Sequence, residues 1–449
     1  MNAMQKSTWW LLAVVLTALV LWLCFATIRI RVVQVQALYG GAFLAFIGMS
    51  WITLKKKCSV PLLWILAVGI LVRMALVFAT PSLSDDYYRF TWDGYMVTQG
   101  INPFGEKPSV YVEQHPEDTT AAELFAAHSK NFPGGMNSKN FYSIYPTVNQ
   151  AIFAVAYVLG SPNYGNLVVM KVILLLFECL SFWLLVKLLR QDRKDPNNAI
   201  LYWLNPLVMI EFVGNIHFEG IALAFLLLAF WFLKNEKLTQ SGAALALAIG
   251  TKLNPLLLAC VHWKALNGKR LLHWWLVIFL STVLVLGIFL NPENIVNFLQ
   301  SLRLYFFVFQ FNGGVLTTGS LVFQWLTEAD GIAILMRILP WLTIVGILAL
   351  NFLKDRWSTS ERILLAYALY YLFATTVHPW YVIMLLPFAI LSGWRFPIVW
   401  TYVIFWTYLS YQQDGFQRNE SIIVLEYVLI GLVCWWDIRI KRRQLSPVE

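Results

Sequence analysis

The chain has 449 residues, of which 59% are apolar, 16% aromatic and only 13% charged. Soluble domains carry about 25% charged residues, so the composition excludes an ordinary soluble enzyme and reads as a polytopic membrane protein. The formal charge of +9 is not a nucleic-acid signal, because the basic residues gather in short loops between apolar runs, where they set orientation.

Apolar runs at 8–28, 33–54 and 60–80 are the first three expected spans. The first is long for a signal-peptide core and lacks a small-residue cleavage site, so it reads as a span. Lys55, Lys56 and Lys57 place the second loop in the cytoplasm, with the N-terminus, and put the segment after residue 80 outside. Arg29 and Arg31 break this rule and are outvoted by the later loops. The outer segment, 81–146, opens with Ser84-Asp85-Asp86-Tyr87-Tyr88-Arg89-Phe90-Thr91-Trp92-Asp93-Gly94 and carries a short helix near 119–128. Helix capping in a solvated loop would explain one carboxylate. It does not explain an Asp pair set among Tyr87, Tyr88, Phe90 and Trp92, and acidic residues beside hydrocarbon usually mark function.

Residues 147–160 read as a half-buried helix returning from that segment. The run 167–189 then crosses inward to Arg190, Arg193 and Lys194. The next crosses outward through Asn205, Pro206 and Glu211 to Gly214-Asn215-Ile216-His217-Phe218-Glu219-Gly220 and returns to Lys234 and Lys237. Residues 241–262 are broken at Thr251-Lys252-Leu253-Asn254-Pro255. A re-entrant hairpin there keeps Lys264, Lys269 and Arg270 inside and lifts Lys252 towards the outer face. After an outward span at 271–290, helical spacing of apolar residues over 293–311 predicts an amphipathic helix in the interface. Further crossings are expected at 332–353, 363–377, 382–391, 396–411 and 421–438, with His378-Pro379-Trp380-Tyr381 on an outer turn. Arg439, Lys441, Arg442 and Arg443 mark a cytoplasmic C-terminus. The expectation is one all-α, integral-membrane domain over 1–449, with about 12 spans plus re-entrant or interfacial half-helices. Cys24, Cys58, Cys179, Cys260 and Cys434 lie in or beside apolar runs, so neither disulfides nor a thiolate metal site is expected.

This topology collects Asp85, Asp86, Arg89, Asp93, Tyr145, Glu211, Asn215, His217, Glu219, Asn312 and His378 on or near one face, within reach of Lys252. Each alone has a bland reading. Glu211 suits a kinked helix, His217 and Glu219 suit a loop better than a metal site, His378 to Tyr381 suit an aromatic belt, and Arg73, Lys252 and Arg337 suit snorkelling cations, with an anionic partner the alternative for Arg73 and Arg337 inside their apolar runs. Together they suit a cavity at the outer leaflet. There an Asp can act as general base on an acceptor hydroxyl while cations hold a phosphate leaving group, a chemistry that needs no metal or cofactor.

The Asp-Asp-Tyr-Tyr-Arg stretch with Ile101-Asn102-Pro103-Phe104 resembles the first outer loop of GT-C-fold, polyprenyl-phosphate-mannose-dependent mannosyltransferases. These are the bacterial integral-membrane alpha-mannosyltransferases and, more remotely, the GPI mannosyltransferase catalytic subunit. The similarity continues through Ile144-Tyr145-Pro146-Thr147-Val148-Asn149-Gln150, Asn205-Pro206-Leu207 to His217, Lys252 ahead of Pro255, and His378 to Tyr381. Thr147 and Phe218 depart from the family pattern. The resemblance implies a GT-C helix bundle and an inverting transfer of a hexose, above all mannose, from a polyprenyl-phosphate donor to a glycan or lipid-linked acceptor. It implies Asp86 as base with Asp85 as alternate, and Arg89, Lys252, Arg337 and His378 as donor or phosphate ligands. Asp93, Tyr145, Glu211, Asn215, His217, Glu219 and Tyr381 then shape the site or bind acceptor. The expected location is a bacterial inner membrane with the site facing the periplasm. A lipid-linked-sugar flippase or transporter, and an outer-leaflet polymer ligase, are the competing readings. The first would show paired broken helices, whereas the second leans on Arg and His rather than an Asp pair.

Overall fold

Backbone crossing hydrocarbon has no water to satisfy its N–H and C=O groups, so apolar runs of this kind become helices. The computed structural model describes residues 3–55, 60–160, 164–261, 266–289, 291–329, 331–352, 357–412 and 415–445. The chain begins with α1 (Ala3–Ala26), α2 (Val32–Leu54) and α3 (Leu62–Leu76). The polar segment holds α4 (Tyr87–Thr98), α5 (Pro108–Gln114) and α6 (Thr119–Ala126). Next come α7 (Thr147–Leu159), α8 (Tyr164–Gln191), α9 (Ile200–Trp203), α10 (Pro206–Val208), α11 (Glu219–Lys234) and α12 (Leu238–Thr251). The rest comprises α13 (Gly268–Gly287), α14 (Pro292–Phe307), α15 (Gly314–Thr327), α16 (Ile332–Leu350), α17 (Thr359–Phe373), α18 (Pro379–Val382), α19 (Leu386–Ser392), α20 (Phe396–Val403) and α21 (Glu420–Leu445). Among the described residues the one sheet is a two-stranded hairpin that pairs Tyr411 with Phe416.

The fold is all-α and polytopic. Among the described residues six helices, α1, α2, α8, α13, α16 and α21, are long and apolar enough to cross a bilayer. The pair Pro206–Gly214 and Glu219–Lys234, bent by 112°, makes a seventh. The remaining apolar runs form shorter or broken helices, among them Leu62–Leu76, Thr147–Leu159, Pro379–Ser392 and Phe396–Ser410. Proline explains much of the fragmentation. Pro206, Pro255, Pro379, Pro387 and Pro397 each lack a backbone donor and stand at the start of a helical piece, and Asn205 and His378, before Pro206 and Pro379, are extended.

The expected hairpin at 241–262 is present as far as the described residues go. A Cβ on Gly242 would meet Val277 Cγ1 at 2.8 Å, and one on Gly250 would meet Val285 Cγ1 at 2.5 Å. The contacts advance in the same direction on both helices, so α12 and α13 run parallel and in close approach. Parallel neighbours in sequence require the chain between them to double back. The 3-10 turns Asn254–Cys260 do so, and Trp275 Nε1 donates to the returning Ala259 O at 2.9 Å. Lys252 therefore stands at the tip of the hairpin, and Arg270, 3.6 Å from Glu236, stands at its base.

The segment 81–146 is not a loose loop. The residues expected to form its acidic loop start a buried helix, α4, in which Tyr87 through Met96 are all buried. Gly94 lies where a Cβ would come 2.4 Å from Phe153 O, so α4 and α7 touch backbone to backbone. Asn215 Oδ1 accepts from Ser82 N and Leu83 N at 3.1 and 3.0 Å and ties the start of the segment to the helix break. Asn102 Nδ2 donates to Phe289 O at 2.7 Å and ties its middle to the end of α13. α14 turns a polar face onto it: Asn297 Nδ2 donates to Phe104 O at 3.0 Å and Ser301 Oγ to Tyr142 O at 3.0 Å. Ile295, Val296 and Leu299 face outward, as an interfacial helix requires.

Candidate active site

The two carboxylates come first. An extended backbone would send Asp85 and Asp86 to opposite faces. The chain is not extended there: Asp86 is already helical, with φ −59° and ψ −28°. Asn137 Nδ2 lies 3.1 Å from Asp85 Oδ1 and 3.4 Å from Asp86 Oδ1, so both carboxylates face one side. Asp86 occupies the N-cap position of α4, yet its side chain accepts no helix N–H, so capping does not account for it.

Arg29 separates the pair chemically. Its Nη1 is 3.8 Å from Asp85 Oδ1 and donates to Leu83 O at 3.2 Å. Its guanidinium lies 4.1 Å from the Tyr411 ring centroid and 4.8 Å from that of Phe132. No cation among the described residues comes within ion-pair distance of Asp86. Burial, then the neighbouring Asp86 charge, push the Asp85 carboxyl from 3.8 up to about 6, against the pull of Arg29.

Both carboxylates open into a cavity of about 500 Å³. Of the residues expected at the site, Arg89, Tyr145, His217, Glu219, Lys252, His378 and Tyr381 also line it. Lys252 Nζ is 2.6 Å from Glu219 Oε1 and 5.0 Å from the Tyr381 ring centroid. Arg89 faces two ways. Its Nε donates to Asp93 Oδ1 at 2.6 Å, and its Nη1 donates to Ser138 O and Phe141 O, while its buried Nη2 has no hydrogen-bond partner. Asp93 accepts further bonds from Ser143 Oγ at 2.6 Å and Gln150 Nε2 at 2.9 Å. Asp93 thus holds the cavity wall from behind rather than facing into it.

Glu211 and Asn215 also stand behind the wall. Pro206 opens a wide turn over Met209–Gly214 that buries Glu211, whose Oε1 accepts from Tyr408 OH at 2.9 Å. Asn215 is the loop anchor already described. His217 packs on Trp380 at 3.5 Å between ring centroids, and His378 packs on Trp380 at 4.4 Å, with interplanar angles of 12° and 2°. Parallel rings so close to one centroid would overlap on a single face, so Trp380 lies between the two imidazoles.

One expectation about cations changes, and for Arg73 the anionic-partner alternative holds over snorkelling. Arg337 does not reach the cavity: α16 turns Met336, Leu339, Thr343 and Ile347 inward, which leaves Arg337 exposed on another face. Arg73 has an internal anion, pairing with buried Glu178 and stacking on Trp203. Sequence reasoning does not name Arg29, Asn137, Tyr408 or Tyr411 as site residues, and it reads Trp380 only as part of the His378 to Tyr381 turn, yet all five line the cavity. Arg29 had a signal, its conflict with the charge rule. Among the described residues no group of three or more His, Cys, Asp or Glu side chains is arranged to hold a metal ion.

No curated protein matches the chain. A family model does, over residues 8–267, and it describes an alpha-(1->6)-mannopyranosyltransferase N-terminal domain. The matched part supplies the acidic pair, Arg29, His217, Glu219 and Lys252, and the part beyond it supplies His378, Trp380 and Tyr381. With more than half its length matched, this membrane-embedded, all-α chain belongs to the alpha-(1->6)-mannopyranosyltransferase family.

Proposed function

We propose that the protein is an inverting mannosyltransferase that uses a polyprenyl-phosphate-linked mannose and passes the sugar to a glycan or lipid-linked acceptor. The reading takes 1–449 as one integral-membrane domain in a bacterial inner membrane, with the cavity open to the periplasm. Asp86 takes the proton of the acceptor hydroxyl. The freed oxygen attacks the anomeric carbon from the side opposite the phosphate. The new carbon–oxygen bond forms as the bond to phosphate breaks, and the polyprenyl phosphate leaves with the electron pair and a second negative charge. Lys252, with Arg89 and His378 also on the cavity lining, stabilises that charge.

One observation carries the assignment of the base. Asp85 and Asp86 share a face and a partner, Asn137, but among the described residues only Asp85 has a cation at ion-pair distance. Arg29 makes Asp85 a held charge and leaves Asp86 available to a substrate. The test is mannose transfer from radiolabelled polyprenyl-phosphate mannose by purified protein. Asp86→Asn keeps shape, removes basicity and is expected to lower the rate by about 10²–10⁴-fold. Asp85→Asn is expected to retain measurable turnover. Near-parental turnover by Asp86→Asn moves the base elsewhere, and no transfer by the parent protein removes the donor assignment.

A further inference from the structure

His217 and Glu211 take no step in the transfer just described, yet they are tightly constrained. His217 Nδ1 faces two oxygens of one residue, the Glu211 main-chain O at 2.9 Å and Oε2 at 3.1 Å. A main-chain carbonyl can only accept, so Nδ1 carries a proton in every charge state of the ring. Neutral His217 therefore presents a bare lone pair at Nε2. That atom is buried and has no hydrogen-bond partner among the described residues, and His217 lines the cavity. Native proteins keep few unmatched buried polar atoms, and a ligand is one reason to keep one.

The ring is also held still. Trp380 covers one face, and Tyr408 holds the Glu211 carboxylate from behind. The preceding residue, Ile216, has φ +62°. A β-branched side chain is strained in the left-handed region, and such strain persists where the surroundings hold a residue in a required place.

We propose that His217 is a substrate-recognition residue whose Nε2 accepts a hydrogen bond from one hydroxyl of a hexose in the cavity. The Glu211 main-chain O, accepting from Nδ1, fixes the tautomer. The inference rests on the glycosyltransferase reading above and adds a specificity contact to it. The hydroxyl belongs either to the donor mannose or to the acceptor sugar, and the two arms of the test separate these sources.

The donor arm uses polyprenyl-phosphate mannoses that each lack one hydroxyl. The acceptor arm uses alpha-(1->6)-linked dimannosides that each lack one hydroxyl other than the reacting one. In the parent, removal of the contacted hydroxyl is expected to lower kcat/KM by about 3–10-fold, the worth of one neutral hydrogen bond. In His217→Phe, which keeps a ring against Trp380 but has no Nε2, that one penalty falls to about 1-fold and the others stay. His217→Asn keeps a donor towards Glu211, lacks the Nε2 position and should behave alike, so a folding defect in either variant does not block the test. Glu211→Gln keeps the penalty, because the main-chain O of residue 211 still holds the Nδ1 proton. Unchanged penalties across both arms in a folded His217 variant overturn the inference alone. Absence of transfer by the parent overturns the underlying reading and the inference with it.

Discussion

At the scale of single residues, the two adjacent aspartates differ through what surrounds them. Asp85 sits against Arg29 and Asp86, and burial and like charge raise its carboxyl to about 6. A group whose folded value lies above its unfolded value adds no cost below the unfolded value, near pH 4. It removes stability as pH rises through its folded value. Between those limits the shift corresponds to roughly 2–3 kcal/mol. Asp85→Asn is therefore expected to melt higher than the parent at pH 7.5 in detergent, with the gain disappearing near pH 4. Identical melting temperatures at both pH values would show that Asp85 ionises in the fold as freely as in water. The sequence marks the Asp pair plainly, through its aromatic setting. Arg29 is harder to read, because only the fold brings the α1–α2 turn against a segment more than fifty residues away. Its breach of the charge rule was the one available hint.

At the scale of elements, the hairpin and the α4–α7 contact position the chemistry. The break at Thr251 to Pro255 is visible in the sequence, and with it the arrival of Lys252 at the cavity. The helical start at Asp86 is not. Its residues, Tyr87-Tyr88-Arg89-Phe90-Thr91-Trp92, have modest helix propensity, and burial against α7 decides the matter. Phe90 stacks on Phe153 at 4.7 Å between centroids in the same contact, one helical turn before Gly94. Gly94→Ala would force a methyl group against the Phe153 carbonyl, which must move because backbone cannot rotate away. The expected cost is about 1–3 kcal/mol of stability, with α4 displaced from α7 and Asp86 shifted with it. Lower melting temperature together with lower kcat checks this. A variant that melts and turns over like the parent would mean that the close approach carries no constraint.

At the scale of the whole molecule, a cluster of basic side chains and the cavity occupy opposite ends of α12. α12 begins at the Glu236–Arg270 contact and ends at Lys252 on the cavity lining, and its 14 residues span about 21 Å. At the basic end, Lys194 donates to Leu391 O, Lys234 pairs with Asp192, and Lys441 pairs with Glu361 at 2.7 Å. These groups come from loops far apart in the chain, and the fold gathers them at one pole. Arg29 and Arg89 are instead engaged at the cavity, so they do not count against that polarity. Basic loops remain on the cytoplasmic side during insertion, which is the argument for the outward-facing cavity of the proposed function. The charge pattern carries this from the sequence alone, whereas the number of full-length spans does not follow from it, because proline splits apolar runs without changing their hydropathy. A cysteine at exposed Gln114, on the cavity-side segment, should react with an impermeant maleimide in intact cells. A cysteine at exposed Asn235, at the basic pole, should react only after permeabilisation. Cysteine-free background protein is needed, since Cys260 is exposed. The reverse pattern would put the cavity in the cytoplasm, where a donor displayed on the outer leaflet could not reach Asp86, and the transfer proposed here would lose its substrate.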